Sequence, residues 1–311
     1  MKIPFLSIIV PLYNEEDCVN SLYEVITEAI DPLNLDYEII LVDDGSKDNT
    51  YQFTKEIAEK DQRLKVIKFR RNYGQTPAMA AGIDYARGEI LVTMDGDLQN
   101  DPADIQKFIE KINEGYDIVC GWRHKRQDNL IRRKVPSVVA NWLIGKITGV
   151  QIKDNGCSLK AYRAEIIKSI PLYSDMHRFI PAMTSMAGTN VAEIKVNHFP
   201  RRFGISKYGI TRIYKVIIDL LIVKTLLSFS TRPLRLFAAV GTASLIVGIF
   251  LMLESVTGLF GGPIEINFMV ASGALLFGIL SFFLVLIGLL GELVLKTGYF
   301  PDFSRLKARM E

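Results

Sequence analysis

Apolar runs alternate with helical patterns through the first 120 residues of the chain. Runs rich in Val, Ile and Leu predict β-strands, and the amphipathic segments between them predict α-helices. The predicted strands cover residues 6–12, 38–42, 65–69, 90–94 and 117–120. The predicted helices cover residues 15–30, 49–60, 76–86 and 102–113. Continuously apolar strands that alternate with helices predict an α/β fold with a mostly parallel sheet covered on both faces.

Beyond residue 120 the pattern becomes amphipathic. A basic segment, 123–134, is followed by an amphipathic stretch at 135–147, and a second stretch covers 209–229. The first stretch fits equally an interfacial helix or a helix packed on the sheet. The second leads directly into a long apolar run, which favours a helix at a membrane interface. The basic segment could be a solvated loop, but its position favours contact with anionic lipid or phosphate.

Two long apolar runs follow. Residues 236–253 carry no charge over 18 positions, and residues 266–291 none over 26. A bilayer span needs about 20 apolar residues, so the pattern predicts two transmembrane helices. Arginine and lysine flank the pair, whereas the loop 254–267 has neither, which predicts that both termini are cytoplasmic. The flanking cations are Arg232, Arg235, Lys296, Arg305, Lys307 and Arg309.

The predicted organisation has four parts: a globular domain at 1–208, an interfacial helix at 209–231, a transmembrane hairpin at 232–297 and a tail at 298–311. The first ten residues lack the long apolar core of a signal peptide, so we expect the globular domain to stay in the cytoplasm. The three cysteines, Cys18, Cys120 and Cys157, have no CxxC spacing, which argues against a disulfide framework or a cysteine metal site. A net charge of only +3 gives no reason to expect a nucleic-acid partner.

Polar clusters follow four of the predicted strands, at 11–16, 42–50, 70–75 and 95–97. Each could be only a turn with a helix cap. However, the carboxyl ends of parallel strands meet at one edge of the sheet, where open α/β sheets bind ligands. The chain has no GxGxxG after the first strand and no GxxxxGK[ST] motif, so neither a Rossmann dinucleotide site nor a P-loop is indicated.

The last of these clusters contains two carboxylates, Asp95 and Asp97, on either side of Gly96. Hard oxygen ligands on a tight turn suit Mg²⁺ or Mn²⁺, and such ions commonly bridge one or two carboxylates to substrate phosphates. The pair therefore predicts a metal site for a phosphate-containing substrate.

Together these segments resemble the GT-A inverting glycosyltransferases that use nucleotide sugars. The resemblance lies in Pro11-Leu-Tyr-Asn-Glu15 and in Val42-Asp-Asp-Gly-Ser-Lys-Asp-Asn-Thr50. The two predicted spans point within that group to the polyprenyl-phosphate glycosyltransferases, such as dolichyl-phosphate mannose synthases and bactoprenol glucosyltransferases. The resemblance covers essentially the whole chain and implies a GT-A nucleotide-sugar domain followed by amphipathic interfacial helices and two transmembrane helices.

The resemblance assigns a role to each matching position. In the donor site, Glu15 contacts the ribose, Asp43 the base, and Asp95, Asp97 and Gln99 the metal. The nucleotide-binding positions that it implies are Pro11, Tyr13, Asn14, Glu15, Asp43, Asp44, Asp95 and Gly96. Asp97 is also expected to be catalytic, together with Asp154, which lies where related enzymes have an active-site acid.

The acceptor side is assigned in the same way. In this branch Arg123, Arg133 and Ser137 would hold the acceptor phosphate. Arg202, Ser206, Lys207 and Tyr208 match a loop that closes over the diphosphate. Because a lipid phosphate is already anionic near neutral pH, transfer does not strictly require a general base, and arginines would orient the phosphate and relieve repulsion between the two anionic groups. Asp154 would then position the sugar or tune the metal site.

The predicted activity is therefore metal-dependent transfer of a hexose to polyprenyl phosphate of the undecaprenyl type at the cytoplasmic face of the inner membrane. The segment 71–75 fits the bacterial UDP-sugar members better than the mannose synthases, so UDP-glucose is the first choice. Transfer of mannose or an aminoarabinose-type sugar is the alternative. A homo-oligomer and a flippase for the lipid-linked sugar are candidate partners.

Two other functions are weighed. A non-catalytic membrane scaffold would not need Asp95, Asp97, Arg202 and Lys207, all of which are present. A processive polysaccharide synthase is disfavoured because the chain lacks a Gln-x-x-Arg-Trp segment and two spans are too few for a translocation channel in one protomer.

Overall fold

The computed structural model describes residues 3–124, 144–146, 149–170, 172, 176–185, 188–200, 233–258 and 268–297. These residues fall into two compact units. One contains the described residues up to position 200, and the other contains two long helices. The amphipathic stretch at 209–229 and nearly all of that at 135–147 lie outside the described residues.

The described strands of the first unit form one seven-stranded sheet in the order β3-β2-β1-β4-β6-β5-β7. The strands are β1 Leu6–Leu12, β2 Tyr37–Asp43, β3 Leu64–Lys68, β4 Ile90–Thr93, β5 Ile118–Arg123, β6 Lys160–Arg163 and β7 Val191–Val196. β6 is antiparallel to both of its neighbours, and the other pairings are parallel. The predicted α/β class with a mostly parallel sheet is confirmed.

Helices cover both faces of this sheet because the strands are apolar on both sides. The helices whose bounds are described in this unit are α1 Val19–Ile30, α2 Thr50–Lys60, α3 Gln75–Tyr85, α4 Ile105–Asn113, α5 Ala164–Ile167 and α6 Ile180–Ser185. Short 3₁₀ turns occupy Asp31–Leu33, Pro102–Asp104 and Met176–Arg178. One core joins the sheet to α1, α2 and α4, and the other joins it to α3, α5 and α6.

The first helix begins later than the sequence pattern predicts. The apolar period suggests a start near Glu15, whereas α1 begins at Val19. Asn14 adopts a left-handed conformation with φ 51°, and the amides of Glu15 and Glu16 donate to side chains of the loop after β2. These tertiary hydrogen bonds replace the first helical turn.

The second unit consists of α7 Pro233–Thr257 and α8 Phe268–Thr297, which pack against each other. Both are long and apolar enough to cross a membrane. At Gly248 an added Cβ would lie 3.0 Å from the carbonyl oxygen of Ala274, so glycine permits the close approach of the two helices. The Ser244 hydroxyl donates to the Phe277 carbonyl at 2.9 Å. Ser244 and Gly248, two small residues of α7, therefore both contact α8.

Candidate active site

The loops after β1 and β2 are joined by hydrogen bonds at the carboxyl edge of the sheet. The Asn14 amide donates to Ser46 Oγ at 2.9 Å, and the Lys47 amide donates to Asn14 Oδ1 at 2.9 Å. The Glu15 amide donates to Thr50 Oγ1, also at 2.9 Å. The two predicted nucleotide-binding segments therefore form one surface. Their side chains are positioned by each other, with Pro11 pairing with Val42 in the strand register below them.

Asp43 lies at the end of β2, and its side chain is fully buried. Its Oδ1 accepts a hydrogen bond from the Ser46 amide at 3.0 Å. Its Oδ2 has no hydrogen-bond partner in the described part of the protein, although it is buried. Because an unsatisfied buried carboxylate oxygen is costly, this atom is suited to accept a hydrogen bond from a bound ligand.

Asp44 is directed to the next loop. Its Oδ1 accepts from the Tyr73 amide at 2.7 Å and its Oδ2 accepts from the Gly74 amide at 2.8 Å. Burial raises the pKa of the Asp44 carboxyl group, the two amides lower it, and the neighbouring Asp43 charge raises it further. Both oxygens of this predicted nucleotide-binding residue are thus engaged in holding the loop between β3 and α3.

Gly45 makes this arrangement of loops sterically feasible. Its φ is +68°, and an added Cβ would lie 2.3 Å from the backbone carbon of Arg71. Only glycine fits such a close backbone approach in the left-handed region. The loop between β3 and α3, which contains Arg71, leads directly into Gln75, the first residue of α3.

Asp95 follows β4 and is held by side chains from distant parts of the chain. Gln75 Nε2 donates to Asp95 Oδ1 at 2.7 Å, and the Ser158 hydroxyl also hydrogen-bonds this carboxylate. Ser158 Oγ in turn accepts from Asn100 Nδ2 at 3.0 Å. Burial raises the pKa of Asp95, and the neighbouring charge of Asp97 raises it further. The carboxyl pair is therefore a site where a cation would relieve repulsion.

Asp97 and Gln99 lie on the turn that follows. Asp97 is buried, and its Oδ1 accepts from the Gln99 amide at 3.2 Å. Between them, Leu98 adopts a left-handed conformation with φ 60°, a cost of about 1 kcal/mol that is typical of functional turns. The Gln99 side chain donates to the Phe199 carbonyl at 3.3 Å, so the turn is connected to the segment after β7.

The donor set fits a divalent ion that is shared with a substrate. Among the described residues, no group of three or more His, Cys, Asp or Glu side chains could hold a metal by itself. A pair of carboxylates is nevertheless the usual protein contribution when Mg²⁺ is completed by substrate phosphates and water. Asp95 and Asp97, both hard oxygen donors, are the residues that would hold it.

Arg123 and Asp154 form a buried ion pair beside this turn. Arg123 Nε donates to Asp154 Oδ2 at 2.7 Å, and Arg123 Nη2 donates to Oδ1 at 2.8 Å. Only 14% of the Arg123 side chain and 7% of the Asp154 side chain are exposed. The structure thus joins two residues that the sequence assigned to different tasks, acceptor phosphate and active-site acid.

Lys160 is a buried cation that sequence reasoning missed. It is 2% exposed on β6, and its Nζ donates to the Asn155 carbonyl at 3.2 Å. Burial lowers the pKa of Lys160, while the nearby charge of Asp154 raises it, and the Lys160 charge in turn lowers the pKa of Asp95. The ammonium group therefore adds positive potential beneath both carboxylates.

Other supporting residues were also missed, namely Ser46, Thr50, Gln75, Asn100 and Ser158. Their positions in strand-end loops gave a weak signal, but their partners lie 20 to 65 residues away in sequence or on a neighbouring loop. Of the predicted positions, Tyr13 and Gly96 lie with the others on the loop after β1 and the turn after β4. Arg133, Ser137, Arg202, Ser206, Lys207 and Tyr208 lie outside the described residues.

A carboxylate pair follows β4, and a buried carboxylate with one unpartnered oxygen among the described residues ends β2, two strands away at the same edge of the sheet. This arrangement is the one expected of nucleotide-sugar glycosyltransferases with a GT-A fold. The chain matches Glycosyl transferase family 2 over residues 7–170 and belongs to that family. The resemblance drawn from the motifs is therefore confirmed.

Relatives of similar length support this assignment. Over 305 residues the chain is 42% identical to a dodecaprenyl-phosphate galacturonate synthase from Rhizobium johnstonii, covering 96% of this chain and 90% of the relative. It is 36% identical over 298 residues to an undecaprenyl-phosphate 4-deoxy-4-formamido-L-arabinose transferase from Shewanella sediminis, covering 94% and 88%. Both relatives are named for polyprenyl-phosphate sugar transfer.

Solved structures share the fold at low sequence identity. The glucosyl-3-phosphoglycerate synthase of Mycobacterium tuberculosis, in complex with Mn²⁺, UDP and phosphoglyceric acid, superposes with a TM-score of 0.57 at 19% identity. This match covers 71% of this chain and 78% of the synthase. S. aureus TarS in complex with UDP-GlcNAc gives 0.51 at 18% identity, covering 71% and 66%. These likenesses establish the GT-A fold.

Proposed function

We propose that this glycosyltransferase moves a sugar from a nucleoside diphosphate sugar to polyprenyl phosphate at the cytoplasmic face of the inner membrane. The observation that carries the proposal is the 42% identity to a dodecaprenyl-phosphate galacturonate synthase, which spans 96% of the chain and includes both long apolar helices. A lipid acceptor also accounts for those helices, because the enzyme and its acceptor then share one membrane.

The donor sugar is revised from the sequence-based first choice. The relatives act on galacturonate and 4-deoxy-4-formamido-L-arabinose, and neither supports glucose. We therefore place a galacturonate-type sugar first, on the higher identity. A 4-deoxy-4-formamidoarabinose-type sugar, which fits the aminoarabinose-type alternative, comes second. The nucleotide remains uridine diphosphate, the expectation drawn from residues 71–75.

In the proposed donor site, Asp43 accepts a hydrogen bond from the base through the oxygen that otherwise lacks a partner. Glu15 contacts the ribose. Asp95 and Asp97 hold Mg²⁺ or Mn²⁺, which when bound stabilises the charge of the leaving diphosphate. Asp44 and Gln75 act indirectly, because Asp44 fixes the loop amides and Gln75 orients the Asp95 carboxylate.

On the acceptor side, a phosphate oxygen of the lipid attacks the anomeric carbon as the bond to the nucleoside diphosphate breaks, which inverts the configuration. The nucleophile is already anionic, so no proton needs to be removed. Arg123 keeps Asp154 in one orientation through the bidentate pair. We assign Asp154 to positioning Arg123 and the sugar, and Arg133, Ser137 and the segment 202–208 to the two phosphate groups.

The test is a donor panel with the purified full chain, polyprenyl phosphate and Mn²⁺. UDP-galacturonic acid, UDP-4-deoxy-4-formamido-L-arabinose, UDP-glucose and GDP-mannose are supplied singly, and lipid-linked product is measured by mass spectrometry. We expect product from UDP-galacturonic acid, and none from that donor with Asp97→Ala. The absence of lipid-linked product with every donor would refute the proposal, whereas product from UDP-glucose alone would overturn only the choice of sugar.

A further inference from the structure

An aromatic and cationic patch lies at the rim of the sheet beside the candidate site. It consists of Trp122, His124, Lys153 and Lys195, and we call it the Trp122 patch. Lys153 Nζ lies 4.2 Å from the Trp122 ring centroid, and Lys195 Nζ lies 5.6 Å from it. The His124 ring meets the Trp122 ring edge to face, with centroids 4.8 Å apart. One indole ring is thus surrounded by three basic side chains.

The patch is accessible because of its position in the sheet. Trp122 and Lys195 are register partners on β5 and β7, and β7 is the last strand in the described sheet order. His124, Lys153 and Lys195 are exposed, and Trp122 is partly buried. Although most of its surface is covered, Trp122 belongs to neither of the two hydrophobic cores of the described sheet. The indole is instead contacted by two lysine ammonium groups and by the edge-to-face His124 ring.

Glu193 on β7 is an acidic side chain beside the patch: burial raises its pKa, and the nearby charge of Lys153 lowers it. Glu193 Oε1 accepts hydrogen bonds from the backbone amides of Lys153, at 2.8 Å, and Asp154, at 3.1 Å. Its carboxylate therefore serves the loop that carries Asp154. Beyond His124, the sequence continues with Lys125, Arg126 and further basic residues. Among the described residues, two lysines, Lys153 and Lys195, face the single carboxylate of Glu193, and Arg123 is paired with Asp154, so the described patch carries a net positive charge.

We propose that the Trp122 patch docks on the anionic phospholipid surface of the membrane. Tryptophan concentrates at the headgroup level of bilayers, and lysines close to the surface are attracted to anionic lipid. Trp122 and Arg123 are neighbours on β5, so their side chains project to opposite faces of the sheet at the same end of the strand. Docking of this edge would bring the Arg123–Asp154 pair to the depth at which a lipid phosphate lies.

The sequence offers a direct probe, because the chain has only two tryptophans, Trp122 and Trp142. The Trp142→Phe variant of the full chain leaves Trp122 as the single tryptophan. It is placed in nanodiscs of phosphatidylcholine alone or of phosphatidylcholine with phosphatidylglycerol. In both preparations the lipids are brominated near the ester end of their acyl chains, so that they quench tryptophan emission. We expect Trp122 emission to be quenched at least twofold more strongly in the anionic discs, and 1 M salt to remove most of this difference because it screens surface charge.

Charge reversal provides the matched comparison. Lys153→Glu/Lys195→Glu should abolish the extra quenching, whereas Lys55→Glu/Lys60→Glu, with the same change of charge on α2 near the opposite edge of the sheet, should retain it. Equal quenching in the two lipid compositions, or equal loss with both double variants, would overturn the proposal. The readout does not require turnover, so an inactive Asp97→Ala chain should still show the quenching even if the proposed sugar transfer were wrong.

Discussion

Arg123 and Asp154 meet in a bidentate pair, with Nε–Oδ2 and Nη2–Oδ1 distances of 2.7 and 2.8 Å. Both side chains are largely buried, so each depends on the other for compensation of its charge. The pKa of Arg123 is raised above its ordinary value, because its hydrogen bonds to Asp154 and the charge of that carboxylate outweigh the opposing effect of burial. The guanidinium therefore stays charged in the site.

Removal of the Asp154 charge should destabilise the protein. Asp154→Asn leaves a buried guanidinium without its counter-charge, and we expect the free energy of unfolding of the globular domain to fall by about 3–5 kcal/mol. Denaturant unfolding measures this. Glu59→Gln, which breaks the exposed Lys55–Glu59 pair, is the control and should cost under about 0.5 kcal/mol. Equal costs for the two variants would contradict the importance of the buried pair.

The orientation of Asp95 should depend on Gln75. Gln75→Leu removes the donor at 2.7 Å from Asp95 Oδ1 without adding charge. Since residues that orient a metal ligand commonly contribute 10- to 100-fold to affinity or activity, we expect Mn²⁺ affinity to weaken by about 10-fold. Titration of activity against Mn²⁺ concentration measures the shift. Gln52→Leu on α2, which loses only its hydrogen bond to Glu56, should leave the titration unchanged.

Metal binding should also depend on pH through Asp95. Its folded pKa is raised above the ordinary 3.8 by burial and by Asp97. The folded carboxyl group thus binds its proton more tightly than the unfolded one. At low pH, protonation of Asp95 therefore stabilises the metal-free folded state. This stabilisation is lost as the pH rises through the folded pKa. The divalent ion binds the ionised form, so its stabilising effect should grow over the same range.

The measurement is a series of thermal unfolding curves from about pH 4 to pH 7, with EDTA or with Mn²⁺. The increase in Tm caused by Mn²⁺ should become larger as the pH rises, following mass action between metal and proton. Asp95→Asn should give a small increase that does not change with pH in this way. A wild-type increase that is constant across the range would exclude Asp95 as the titrating ligand.

Gly45 should be intolerant of any side chain. Gly45→Ala places a Cβ 2.3 Å from the Arg71 backbone, so the loop between β3 and α3 must move. We expect a loss of stability of at least about 2 kcal/mol and a raised KM for the donor. Gly115→Ala also replaces a glycine with a positive φ, +100°, but there is open space around that position. It should cost only about 1 kcal/mol and leave the KM unchanged.

The helix pair offers a similar comparison. Gly248→Leu would force a side chain against the Ala274 carbonyl, 3.0 Å from the Cβ position, whereas Gly278→Leu points into open space. We expect the first variant to lower the Tm of the detergent-solubilised protein by several degrees and the second to leave it nearly unchanged. If both variants behave alike, the close packing at Gly248 does not stabilise the pair.

The sequence was most informative where function depends on local pattern. The strand-end positions of Asp43, Asp95 and Asp97 followed from apolar runs that stop at polar turns, and the family comparison supports the fold that they indicate. The sequence pattern predicted neither β6 nor β7. β6 is only four residues long and begins and ends with the cations Lys160 and Arg163, so it lacks the apolar run by which the other strands were found. The long-range partners Gln75–Asp95 and Arg123–Asp154 depend on how distant loops meet, which no local pattern encodes.

β6 has a consequence for the order of folding. It lies antiparallel between β4 and β5 and pairs residues that are far apart in sequence, 73 positions for Ile90–Arg163 and 40 for Cys120–Lys160. Closing such loops is entropically slower than forming the β1–α1–β2 unit. We therefore expect the β1–α1–β2 unit, in the nucleotide half of the sheet, to form first. The two halves of the sheet form one site only after β6 is inserted between β4 and β5. A chain that stops folding before that step would have the predicted base-binding surface. It would lack Asp154, Ser158 and Lys160 beside the Asp95–Asp97 pair.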